Sequence, residues 1–122
     1  MSGASKSFLF VLRHTPLDDG CRAREVLDQV FSAAAFDQTV RILLLDDGVW
    51  QLHPGQPLIT GHEPVTPLFS ALSLYDVDTP WVEQESLDAR GLKAEHLVVP
   101  ARTLTRNELP TWVATHDIVI GC

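Results

Sequence analysis

The stretch Arg41-Ile42-Leu43-Leu44-Leu45-Asp46-Asp47-Gly48-Val49-Trp50-Gln51-Leu52-His53-Pro54-Gly55-Gln56 decides the fold. Its first part is a solid apolar run with no polar alternation, the pattern of a strand covered on both faces, as in a parallel sheet. An acidic turn with a glycine follows directly, outside the carboxyl end of that strand, where α/β proteins keep their sites. Just beyond it stand Val49, Trp50 and Leu52, which either close the core or meet another protein. Both readings are open at this point.

Upstream, Phe8-Leu9-Phe10-Val11-Leu12 reads as a first buried strand. Asp18 and Asp19 are placed to cap a helix whose apolar residues fall at Ala23, Val26, Leu27, Val30, Phe31 and Ala34, one stripe at helical spacing. Asp37 and Gln38 turn the chain into a second strand, Val40 to Leu45, completing a βαβ unit with an expected right-handed crossover. Downstream, Pro54, Pro57, Pro64 and Pro67 with Gly55 and Gly61 mark a loop that ends at a helix start. Val65, Leu68, Phe69 and Leu72 give a short helical stripe, and Trp81-Val82-Glu83 a short strand. Ser86 is expected to cap a helix ending at Gly91. Leu97-Val98-Val99, stopped by Pro100, reads as a fourth strand. Thr105-Arg106-Asn107-Glu108 has capping-box form with Leu104 and Leu109 as staple, before a helix carrying Trp112 and Val113. Asp117-Ile118-Val119-Ile120 is a fifth strand. The order predicts an α/β fold over residues 1–122 as one domain, with a mostly parallel five-stranded sheet and helices on both faces.

The 122 residues suffice for one core. A formal charge of -7, with Lys6 and Lys93 the only lysines, argues against direct nucleic-acid binding, since such affinity rests on neutralising phosphates. The apolar run Phe8–Leu12 is too short for a signal-peptide core or a membrane span. Two cysteines make no disulfide framework, so the expectation is a soluble, cytoplasmic protein with reduced thiols.

No complete catalytic constellation is legible. Cys21 lies near the start of the first helix, where the helix dipole favours thiolate; the alternative is a small half-buried apolar residue. Cys122 is terminal, and neither has a second cysteine at redox or zinc spacing. His14, His53, His62, His96 and His116 are dispersed, so no metal site is expected. Asp46-Asp47 lacks a phosphate loop and a supporting lysine, and no dinucleotide-binding glycine cluster follows strand one. Trp50, Leu52, Leu58 and Ile59 make the loop unusually apolar, which marks either a contact between chains or residues folded back over the sheet.

Several pieces together resemble the TusC/DsrF family of DsrE-like proteins. They are Arg24-Glu25-Val26-Leu27-Asp28, Asp47-Gly48-Val49-Trp50-Gln51-Leu52 with Pro54-Gly55-Gln56, Leu74-Tyr75-Asp76-Val77, Trp81-Val82, Ser86-Leu87 with Arg90-Gly91-Leu92, and His116-Asp117-Ile118-Val119-Ile120. The match runs in order over nearly the whole chain. It implies a three-layer α/β/α sandwich and a subunit of a TusBCD-like complex, with TusB-like and TusD-like partners. Such a complex relays persulfide sulfur between donor and acceptor proteins toward 2-thiolation of the tRNA wobble uridine. DsrF-like members serve an analogous DsrEFH complex in sulfur oxidation. The resemblance places the persulfide cysteine of active subunits just after Trp81-Val82, where this chain has Glu83. A carboxylate cannot hold a sulfane sulfur, so the expected role is non-catalytic, with no cofactor and with Asp47 to Leu52 as an interface. The rival classes are an independent persulfide carrier using Cys21 and a homo-oligomeric small-ligand module at the Asp46–Trp50 edge.

Overall fold

The computed structural model describes residues 6–16, 23–54 and 65–121. Among these, five strands form one sheet: β1 (Ser7–Leu12), β2 (Thr39–Leu44), β3 (Trp81–Glu83), β4 (Arg102–Leu104) and β5 (Ile118–Gly121). Their spatial order is β4-β3-β2-β1-β5, and every pairing is parallel. The helices are α1 (Ala23–Ala35), α2 (Thr66–Ser70), α3 (Gln84–Ala89) and α4 (Leu109–Ala114), with a seven-residue 3-10 segment at Asp46–Leu52. The α/β class and parallel sheet read from the sequence are those observed.

The central strands are largely apolar because both of their faces are covered. Phe10, Leu12, Ile42, Leu44 and Val82 face α1, which contributes Val26, Leu27 and Val30. Phe69 of α2, Leu87 of α3, Val49 and Leu52 complete that layer. The opposite face, with Leu9, Leu43 and Leu45, is covered among the described residues by α4 alone, through Leu109 with Trp112 and Val113. The chain steps from β1 through β2 and β3 to β4 on one side, then returns to place β5 on the other side of β1. Asp117 fixes that return: its carboxylate accepts from the Ser7 amide at 2.9 Å and the Ser7 hydroxyl at 3.2 Å, while its own amide donates to Ser7 Oγ at 2.9 Å.

Three local expectations are corrected. Leu97-Val98-Val99 is not a strand; the fourth strand is Arg102–Leu104. The apolar character of 97–99 serves the main core, against which all three pack, and the Val98 amide donates to Leu52 O at 2.9 Å. An edge strand with only Leu104 buried needs no apolar run. Ser86 is not a helix cap but lies inside α3, capped by Glu83 without a side-chain bond. The capping-box glutamate, Glu108, accepts from the Thr105 amide at 2.8 Å, yet it closes a turn ahead of the helix, which begins at Leu109. Gly91 does take the left-handed conformation past α3, with φ of 67°.

The glycine of the opening stretch is required by space. A Cβ on Gly48 would stand 2.0 Å from the Leu12 carbonyl oxygen and 2.6 Å from its carbon. The 3-10 segment therefore crosses the end of β1 backbone against backbone. Neither partner can move without disturbing β1, so Gly48→Ala should cost about 3 kcal/mol, the upper end for overpacking. Urea unfolding should show a lower midpoint at unchanged slope, whereas Asp47→Ala, altering only an exposed ion pair, should shift it little.

Candidate functional site

The carboxyl edge of the sheet carries a connected set of charges around Glu83, the last residue of β3, which is 4% exposed. Arg106, two residues past β4, grips its carboxylate with both arms: Nε donates to Oε2 at 3.1 Å and Nη2 to Oε1 at 3.0 Å. The planar guanidinium fork matches a carboxylate in this way, and such paired charge-assisted bonds are the strong ones. Ser86, one turn into α3, donates its hydroxyl to Glu83 Oε1 and accepts from the Asp46 amide at 2.8 Å. Asp46 sits at φ 52°, the left-handed bend that turns its N–H toward Ser86.

Further pairs extend the set. Arg90 donates from Nε to Asp47 Oδ1 at 3.0 Å and from Nη1 to the Ser86 carbonyl at 3.1 Å, tying α3 to the 3-10 segment. The Arg106 amide donates to both Glu85 oxygens, at 2.9 and 3.0 Å. Arg13, at the end of β1, lies 3.6 Å from Asp46. The Arg106 hydrogen bonds hold the Glu83 carboxyl below the ordinary glutamate range; burial opposes this, and the Ser86 bond and the Arg106 and Arg13 charges add to it.

The charged groups of this arrangement are engaged with one another. Glu83 is ionised at neutral pH and its lone pairs are engaged, so it is neither acid nor base. Ser86 is 1% exposed and its proton is committed to Glu83, so it is no nucleophile. No group of three or more His, Cys, Asp or Glu among the described residues is placed to hold a metal ion. Cys21 and Cys122, with Asp18, Asp19, Leu58, Ile59 and His62, lie outside the described residues.

The segment expected as an interface divides in two. Val49 and Leu52 are 0% exposed, and Gly48 and Gln51 are also buried; these four fold back over the sheet. Gln51 reaches across to donate from Nε2 to the His14 carbonyl at 3.1 Å. Asp47 is exposed, and Trp50 is half-buried with its ring edge-on to His53 at 5.3 Å. Sequence reasoning missed Arg106 and Ser86 as partners of Glu83. The available signal was an arginine just after one strand, at the same sheet edge as a glutamate ending another.

It also missed a second cluster, at the amino edge of the α4 face. Trp81 and Trp112 have ring centroids 4.9 Å apart, and Trp112 meets His116 at 4.8 Å. Arg41 Nη1 lies 3.4 Å from His116 Nε2, while His116 Nδ1 faces the Trp112 carbonyl at 3.1 Å. Arginine can only donate, so Nε2 is the acceptor and Nδ1 carries the proton. Asp78 collects Arg41 at 4.0 Å, Arg102 at 3.7 Å and the Trp81 indole N–H at 3.3 Å.

Comparison with known proteins gives consistent results. The model of the DsrE/DsrF-like family matches residues 6–121. A protein named TusC homolog from Pseudomonas aeruginosa is 37% identical over 117 residues, covering 95% of this chain and 98% of that protein. The intracellular sulfur oxidation protein DsrF from Allochromatium vinosum is 40% identical over 99 residues, covering 80% of this chain and 72% of that protein. The crystal structure of the ychN protein from E. coli shares the fold, with a TM-score of 0.76 at 18% identity over 96% of this chain and 99% of that one.

The Glu83 geometry sets a pH dependence. Because the folded carboxyl titrates below the unfolded one, its stabilisation is complete above the ordinary value of 4.5 and is lost as pH falls through the depressed folded value. Glu83→Gln should cost about 2 kcal/mol at neutral pH, the range for hydrogen bonds to a charged group. It should also flatten the acid limb of stability measured by urea unfolding from pH 7 downward. Arg106→Ala should move acid unfolding to higher pH.

Proposed function

This chain belongs to the DsrE/DsrF-like family, and from that premise we propose that it is a non-catalytic subunit of a TusBCD-like sulfur-relay complex. In this reading the complex supports 2-thiolation of the tRNA wobble uridine in the cytoplasm. The observation that carries the non-catalytic part is the clamped Glu83 at the place where the resemblance puts a persulfide cysteine. The end-to-end similarity to a TusC homolog supports the branch. TusB-like and TusD-like chains are the direct partners, and persulfide donor and acceptor proteins the indirect ones. The -7 charge fits transfer between proteins better than a grip on tRNA. No helix among the described residues is long and apolar enough to cross a membrane.

The contact surface proposed for assembly is the exposed part of the opening stretch, Trp50 with Asp47. A half-buried tryptophan beside a charged rim is the composition of interface hot spots. The 40% identity to DsrF favours a second reading, a subunit of a DsrEFH-like complex in sulfur oxidation.

Co-expression with TusB-like and TusD-like chains, followed by native mass spectrometry, should yield a mixed assembly; co-expression with DsrE-like and DsrH-like chains instead tests the second reading. If the chain stays alone in both, the subunit proposal fails. Incubation of the purified chain with a cysteine desulfurase and cysteine should leave its intact mass unchanged. A gain of one sulfur atom that disappears in Cys21→Ser would replace this reading with that of an independent carrier. Trp50→Ala should weaken assembly at least tenfold, about 1.4 kcal/mol or more, with a smaller change in folding stability.

A further inference from the structure

Among the described residues the α4 face of the sheet is unevenly covered, and the gap falls at a particular place. α4 has six residues and reaches only part of the face. Beside it lies an open groove of about 740 Å³, within the range of small-molecule sites, roughly 300–1,000 Å³. Its floor is Val11, Leu43 and Leu45, and its wall is Leu109 and Val113 of α4. The apolar edge residue Val119 of β5, 47% exposed, bounds it on the solvent side.

The groove lies at the carboxyl ends of β1 and β5. The chain leaves β1 toward β2 on one side, and β5 is added on the other, so this is where the strand order reverses. In open parallel sheets the crevice outside the carboxyl ends of the strands, where the strand order reverses, is where ligands bind. Pocket and topology thus point independently to one location.

Chemistry selects the ligand class. Among the described lining residues Arg13, at the mouth, is the one permanent charge. Its partner Asp46 lies 3.6 Å away, with the two side chains 60% and 54% exposed. An exposed pair of this kind contributes little and exchanges readily. A carboxylate arriving with an apolar tail in the groove would meet the guanidinium with its head, where a bidentate bond is available. A cationic head would meet Arg13 instead.

We propose that this groove binds a small amphipathic carboxylate, with an apolar chain lying between α4 and β5 and its head on Arg13. The groove adjoins the Glu83 charge set through the Arg13–Asp46 pair, and its proposed ligand does not depend on membership of a sulfur-relay complex. The test is isothermal titration of the full chain with decanoate, with decanol and decyltrimethylammonium as head-group controls. Decanoate should bind saturably and more tightly than either control. Arg13→Gln should weaken it at least about tenfold, the equivalent of one lost charge-assisted bond. Val113→Trp should fill the groove and abolish binding. Val119→Glu, at an already exposed position and so compatible with folding, should weaken decanoate by placing a like charge along the groove. Absence of saturable binding overturns the proposal, as does decanoate affinity unchanged in both Arg13→Gln and Val119→Glu. Equal affinity for decanol and decanoate overturns the carboxylate class. If Val119→Glu alters sedimentation of the chain while no probe binds, the groove is a protein contact and the ligand site is refuted.

Discussion

The contact between Gly48 and the Leu12 carbonyl is the constraint on which the carboxyl edge depends. With no Cβ in the way, the 3-10 segment can lie directly on the end of β1. That height sets everything after it. Val49 and Leu52 drop into the core beneath, and fully burying each stabilises by about 2 kcal/mol. The Leu45 amide reaches Leu12 O at 3.1 Å, and the bend at Asp46 then aims its own amide at Ser86. A side chain at position 48 would lift the segment and break this sequence of contacts from its first step.

Ser86 connects that backbone constraint to Glu83, and Glu83 to Arg106. A buried ion pair is not in itself a strong source of stability, because desolvation offsets most of the Coulomb gain. Its value here is positional. β4 is a three-residue edge strand, and Leu104 is its one buried residue. So little apolar surface sets its register weakly. Glu83 pairs with Leu104 across the ladder, and Arg106 returns two residues later to hold the Glu83 carboxylate. A shift of β4 by one residue would move the guanidinium off its partner and leave a buried carboxylate uncompensated. Glu83 thereby fixes the edge strand.

Local pattern carried most of the fold and little of the site. β1, α1, β2, β3 and β5 were legible because burial on both sheet faces, or on one helical stripe, writes itself into periodicity. Leu97-Val98-Val99 misled for the same reason: the pattern reports burial, and these residues are packed against the core without joining the ladder. β4 was invisible because an edge strand with one buried residue leaves no apolar run. The resemblance located Glu83, yet its partner Arg106 is 23 positions away and Asp46 40 positions from Ser86. His116 and Arg41 are 75 apart. Pairings at such separations are set by the order of strands in the sheet, which residue spacing alone does not encode. The Trp50 segment shows both limits at once: its composition was equally that of core and of interface, and the fold assigns Val49 and Leu52 to the first while leaving Trp50 and Asp47 at the surface.

The distribution of charge follows from the same topology. Parallel strands bring all their carboxyl ends to one side, so the residues after β1, β2, β3 and β4 gather there. Arg13, Arg90 and Arg106 meet Asp46, Asp47, Glu83 and Glu85 at that edge, three cations against four anions. Among the described residues the charges at this edge nearly cancel, whereas the whole chain carries -7. Like charges repel an approaching acidic surface, and that repulsion is weakest where pairs cancel within a Debye length of about 8 Å. Trp50 lies half-buried in the same 3-10 segment as Asp46 and Asp47, so an apolar ring and paired charges share this edge.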